Sequence, residues 1–156
     1  MQITPITDIQ INTCFWAAFF SWCLAQFIKL VIHFIKTKNI DFRYFVSTGG
    51  MPSAHSATVC GLATSIGIAD GFASSMFALS AVFAIITMFD ASTVRRAAGQ
   101  QAAVLNEMVH ELFHDHKLNN KRLKELLGHT RFEVFMGMLT GIIFSILFCF
   151  YIMPKK

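Results

Sequence analysis

FEVFMGMLTGIIFSILFCFYIM, residues 132–153, holds twenty-two residues with one carboxylate and no lysine or arginine. A helix needs about 20 predominantly apolar residues to cross the hydrocarbon of a bilayer, so this run is long enough unaided. Two more stretches approach that length, Ile11 to Ile28 and Gly71 to Phe89. A fourth, Ala54 to Ala69, is shorter and rich in Ala, Gly, Ser and Thr. Small residues let helix backbones approach closely, which places this segment inside the bundle, screened from lipid by the other three.

Composition points the same way. The chain of 156 residues is long enough for one domain, and 14% charged residues with a mean hydropathy of +0.54 is far more apolar than a soluble domain requires. The expected fold class is therefore all-α, an integral membrane helical bundle in a single domain over residues 1–156. Its four embedded helices are expected at about 11–35, 53–69, 71–89 and 132–153. Cys14, Cys23, Cys60 and Cys149 lie in apolar segments without C-x-x-C spacing, so they read as packing residues, not as a disulfide framework or a zinc site. Residues 1–10 carry no Lys or Arg and no A-x-A site follows the first apolar run, so a cleaved signal peptide is not expected.

Between the spans the sequence is equally directive. Ser47-Thr48-Gly49-Gly50 favours a tight, non-helical backbone before a helix that starts around Pro52, a residue suited to a first turn. Asp70-Gly71 predicts a helical hairpin. Beyond Phe89 the chain turns polar but keeps a helical rhythm in Leu105, Met108, Val109, Leu112 and Phe113. This predicts an amphipathic helical insertion over about 97–127, lying on the bundle or the membrane surface, with a second short helix over Lys121 to Leu127.

Four crossings put the loops 36–53 and 90–131 on one side. That side holds ten of the thirteen basic residues: Lys36, Lys38, Arg43, Arg95, Arg96, Lys117, Lys121, Arg122, Lys124 and Arg131. By the positive-inside rule it faces the cytoplasm, and arginines kept for phosphate would produce the same asymmetry. Lys29, within the first span, is expected to snorkel toward that face.

His55 and Glu133 stand at helix starts, and Lys36, Arg43, Arg95, Arg96 and His129 occupy the same-side loops. Ionisable groups at a membrane span are costly, so their gathering on one face is a functional hypothesis by default. The set suits phosphoryl transfer: one histidine attacks phosphorus, another protonates the leaving oxygen, and cations hold the equatorial oxygens. Simpler roles stand beside these. Lys36 and Arg43 suit interfacial anchoring, Ser53 and His55 helix capping, Glu133 a favourable place on a helix dipole, and Asp90 a salt bridge to Arg95 or Arg96. His110-Glu111-Leu112-Phe113-His114 matches the helical zinc signature H-E-x-x-H, with Asp115 or His116 as a further ligand.

Taken together the motifs become recognisable. Lys36 is followed after six residues by Arg43, then by Pro52-Ser53-Ala54-His55, and later by His129 with Glu133 four residues on. This resembles the K-x6-R-P, P-S-G-H and S-R-x5-H-x3-D motifs of the type 2 phosphatidic acid phosphatase superfamily, which includes vanadium haloperoxidases. With SGGMPSAHS, VRRAAGQQA and LKELLGHT, the pattern is most similar to the divergent, small, haloperoxidase-related branch, over nearly the whole chain from Lys29 onward. The resemblance implies a membrane phosphatase acting on a lipid-linked phosphate or diphosphate. His129 would be the nucleophile, Glu133 would orient its imidazole, and His55 would be the general acid. Lys36, Arg43, Ser53 and one of Arg95 and Arg96 would hold phosphoryl oxygens. It implies no metal or other cofactor, and as partners a lipid-phosphate substrate and the membrane, with no nucleic acid. The alternatives are a non-catalytic protein that binds phosphate or a partner, and a zinc-dependent membrane enzyme.

The sequence departs from the family pattern at Tyr44, Ala54, Val94 and Glu133, where the motifs have proline, glycine, serine and aspartate. Arg95 and His129 are separated by 33 residues instead of five, so the amphipathic insertion must loop out and return His129 to the site. One helix precedes the first motif, so a second subunit is expected to support the fold, a homodimer paired through small-residue faces.

Overall fold

A computed structural model describes residues 12–38, 50–112 and 129–152, with the side chains of residues 94–96, 98, 110–112 and 152 excepted. The described residues form five helices and no strand: α1 Thr13–Thr37, α2 Ala54–Asp70, α3 Ser75–Ser92, α4 Val94–Leu112 and α5 Arg131–Ile152. Three of them, α1, α3 and α5, are long and apolar enough to cross a membrane.

α1, α2, α3 and α5 each start where a side chain satisfies an orphan backbone donor. Asn12 Oδ1 accepts from the Phe15 N–H at 3.0 Å, and Ser74 Oγ accepts from the Phe77 N–H at 3.1 Å. Ser53, not Pro52, caps α2, so the proline precedes the cap and does not enter the first turn. The third helix begins at Ser75, four residues beyond the Asp70-Gly71 turn, because Ser74 takes the capping position. α1 ends where Lys38 turns left-handed at φ 59° and its N–H closes on the Phe34 carbonyl at 2.8 Å.

The short helix α2 is the centre of the bundle and packs against α1, α3 and α5. Small residues face inward. The buried apolar side chains among the described residues are Ala, Cys and Val, whereas Phe19, Phe27, Leu79, Ile85, Phe89, Leu147 and Phe150 lie on the outside. Water would drive the opposite arrangement. In lipid there is no hydrophobic gain from hiding Phe or Leu, and close backbone packing governs which residues face inward. The chain is an integral membrane protein.

The α2–α5 contact runs in a parallel register. A Cβ at Gly137 would strike the Ser53 carbonyl, and one at Gly141 would strike the Ala57 backbone. One step further, Ser145 Oγ donates to the Gly61 carbonyl at 2.6 Å. On the other side of Gly61 stands Ser21 of α1, whose hydroxyl donates to the Ala17 carbonyl at 2.7 Å. These small-residue contacts are made within the protomer. Toward α3, Val59, Cys60 and Ala84 form a buried cluster with Met88, Met138 and Ile142 packed against it.

α4 meets the rest of the bundle chiefly at α3. Val104, Leu105 and Met108 are exposed along it.

Candidate active site

Parallel packing brings the N-termini of α2 and α5 to the same end of the bundle. The Ser53 N–H donates to the Glu133 carbonyl at 3.0 Å and locks the two starts together. His55 lies in the first turn of α2 and His129 just ahead of α5, so this bond carries the two histidines to each other. Their ring centroids are 6.2 Å apart at an interplanar angle of 61°. His129 is only 2% exposed, unlike a solvated helix start.

Glu133 is held by a capping box. The Thr130 N–H donates to Glu133 Oε2 at 2.8 Å, and the Glu133 N–H donates in return to Thr130 Oγ1 at 3.2 Å. The same Oε2 lies 3.4 Å from His129 Nδ1, so one carboxylate oxygen serves the helix start and orients the imidazole. That second contact is long for a hydrogen bond, and the capping bond is the tighter of the two.

Beside this group opens a cleft of about 340 Å³ lined by Lys29, Ile32, His33, Lys36, Gly50, Met51, Thr130, Phe132 and Glu133. Lys36 is exposed at its mouth. Lys29 does not snorkel outward: it is 5% exposed, lines the cleft, and lies within electrostatic reach of Glu133. Its position inside a span was the signal available in the sequence, since a lysine at that depth is costly. His33 has no place in the motif pattern, and only the shared cleft brings it to the site. Two converging helix N-termini, each the positive end of a macrodipole, add to the field of the lysines and favour an anion here.

Ser53 is fully buried and acts as a cap: its Oγ accepts from the Ser56 N–H at 3.4 Å and from the Ser56 hydroxyl at 3.1 Å. Arg95 and Arg96 lie in the first turn of α4, among the side chains not described. Arg43 lies outside the described residues, as do His114, Asp115, His116 and the short helix expected over Lys121 to Leu127. His110 and Glu111 belong to α4, with side chains outside those described.

The chain is 46% identical over 140 residues to the uncharacterized membrane protein YuiD of Bacillus subtilis (strain 168), an alignment covering 83% of this chain and 89% of that protein. No solved structure matches it. A model of the divergent PAP2 family matches residues 10–144, and the chain, whose two histidines meet at the joined starts of α2 and α5, belongs to that family.

Proposed function

We propose that this protein is a membrane phosphatase that hydrolyses a lipid-linked phosphate or diphosphate through a phosphohistidine at His129. The observation that carries this proposal is the pairing of His129 with Glu133 on one side and His55 on the other, beside a cleft walled by Lys29 and Lys36. With Nδ1 turned to Glu133, Nε2 is the nitrogen that attacks phosphorus. The N–P bond forms as the P–O bond to the leaving group breaks, and His55 gives that oxygen a proton. Water then attacks the phosphohistidine, His55 takes a proton from it, and inorganic phosphate departs. Lys29 and Lys36 hold the charge gathering on the equatorial oxygens, with the helix starts behind them. Arg43 and one of Arg95 and Arg96 join them on the strength of the motif match. The basic, site-bearing face is assigned to the cytoplasm by the positive-inside rule.

The test is phosphate release by the purified protein from a panel of lipid phosphates and diphosphates, with EDTA present. Release that vanadate inhibits and that His129→Ala abolishes is the expected result. Folded protein that releases nothing, yet binds orthophosphate, would favour the second reading, a phosphate-binding protein without turnover. The long 3.4 Å approach of Glu133 to His129 is what keeps that alternative in play.

A further inference from the structure

A second opening lies on the flank of α5 turned away from the cleft beside the histidines. It is a groove of about 380 Å³ between the end of α3 and the start of α5. α3 contributes Ile85, Met88, Phe89 and Ser92, spaced i, i+3, i+4 and i+7. α5 contributes Arg131, Val134, Phe135 and Met138 at the same spacing. Each set is one stripe along a helix, about 10 Å long. α3 returns against α2 whereas α5 runs with it, so Ser92 and Arg131 stand at one end of the groove and Ile85 and Met138 at the other.

The inner part is apolar and adaptable. Met88 and Met138 pack on the buried cluster of Val59, Cys60 and Ala84, and the Cys60 thiol lies 3.6 Å from the Met88 sulfur. Methionine shapes itself to irregular partners. Ile85, Phe89 and Phe135 are exposed along the edges, so the groove opens sideways to lipid. Its length is roughly two-thirds of the hydrocarbon of one leaflet, which is about 15 Å thick.

The outer end is polar and positive. Arg131 is exposed there, and among the described residues no salt bridge engages it. Beside it, the Ser92 and Thr93 hydroxyls donate to the Phe89 carbonyl at 3.2 and 2.6 Å, and the Thr93 N–H donates to the same oxygen at 3.0 Å. Three donors on one carbonyl weaken the negative end of α3 at this rim. α4 starts at Val94, directly after Thr93, and adds the positive end of its own dipole. A free anion would leave the apolar stripes uncovered, and an apolar helix laid in the groove would leave Arg131 without a counter-charge. The ligand that satisfies both ends has an anionic head and a hydrocarbon tail.

We propose that this groove binds an anionic phospholipid, with its phosphodiester on Arg131 and an acyl chain between the stripes of α3 and α5. A guanidinium meets phosphate oxygens through two parallel N–H donors, and basic pockets between membrane helices hold anionic headgroups in this way. The lipid is bound and not consumed, so the site stands apart from the phosphatase reading. Arg131 and Glu133 point about 200° apart around α5, which puts the lipid and the histidine cleft on opposite flanks of one helix.

The experiment places the full chain in phosphatidylcholine bilayers with a minor fraction of phosphatidylglycerol, and either lipid carries brominated chains that quench tryptophan. Ile85→Trp sets a reporter at the groove, and Phe27→Trp sets one on the outward face of α1 at a similar depth. Wild type, with Trp16 and Trp22, supplies the background. At Ile85→Trp phosphatidylglycerol should be favoured about tenfold, the scale of one charge-assisted contact, with no preference at Phe27→Trp. Adding Arg131→Gln should abolish the preference, whereas Lys38→Gln, which removes another exposed cation, should leave it intact. Should Ile85→Trp not fold, Phe135→Trp reads the same groove from its other wall. Equal quenching by the two lipids at the groove overturns the proposal, and so does a preference that survives Arg131→Gln. A preference equally strong at Phe27→Trp, or equally reduced by Lys38→Gln, overturns it in favour of a diffuse attraction to the basic face.

Discussion

Thr130 illustrates how much of this site rests on one hydroxyl and one backbone N–H. Its N–H and Oγ1 complete the capping box that places Glu133 Oε2 against His129. Replacing Thr130 by Val removes the acceptor for the Glu133 N–H, at a cost of about 1 kcal/mol in helix stability. We expect kcat to fall further than that loss of stability accounts for, and Thr130→Ser to restore both. Steady-state kinetics alongside thermal unfolding separate the two effects. Lys29 permits a sharper division. Exchanging a buried charge for a well-packed apolar side chain is often neutral or stabilising, so Lys29→Met is expected to keep or raise the unfolding temperature. Its turnover and its affinity for vanadate should fall at least about tenfold, the cost of one charge-assisted contact to an anion. A variant that unfolds early, or keeps full vanadate affinity, would contradict the role given to Lys29. For His55, the loss on His55→Ala should be about 10²- to 10⁴-fold with an alkyl phosphate, the usual worth of a general acid. It should be much smaller with p-nitrophenyl phosphate, whose leaving group needs little help from a proton.

Among the elements, the α2–α5 contact decides whether the site exists, because it sets the distance between the two histidine-bearing helix starts. Gly141 faces the Ala57 backbone, which cannot swing aside as a flexible side chain can. Gly141→Leu is expected to destabilise the protein by about 3 kcal/mol and to abolish turnover although no site residue changes. Ser145→Ala removes only the bond to the Gly61 carbonyl, worth about 0.6 kcal/mol in a membrane setting, and should leave activity near wild type. Thermal unfolding in detergent ranks the two. The pattern of Ala, Gly, Ser and Thr in residues 54–69 already marked α2 as an interior helix. The pairing of Ser53, Ala57 and Gly61 with Gly137, Gly141 and Ser145 was not legible, since small residues mark a face without naming its partner.

For the whole molecule, the arrangement of large side chains outside and small ones inside specifies lipid as the solvent. Single cysteines at Leu79, Ile85, Leu147 and Leu105, spin-labelled in bilayers, should be more accessible to oxygen than to a water-soluble nickel chelate. The first three should lie deep and Leu105, on the amphipathic α4, near the headgroups. Leu105 labelled in bulk water would contradict the surface placement of α4. A cysteine at Lys38, which ends α1 on the basic face, is expected to react with an impermeant maleimide only from the cytoplasmic side.

What the sequence by itself determined is whatever accumulates locally along the chain. Hydropathy sums over a window, so the spans and the membrane were legible from residues 11–35, 71–89 and 132–153, and helix-start chemistry marked His55 and Glu133. The family was legible because several weak motifs coincide in order and spacing. Only the tertiary structure decided that His129, 34 residues beyond Arg95, returns to stand 6.2 Å from His55. Only it showed Lys29 turned into the cleft instead of outward, and brought His33 to the same wall. The reason is geometric: which side chains meet depends on the register of one helix against another. Glycine and serine contacts between distant segments set that register, and no local window contains both partners.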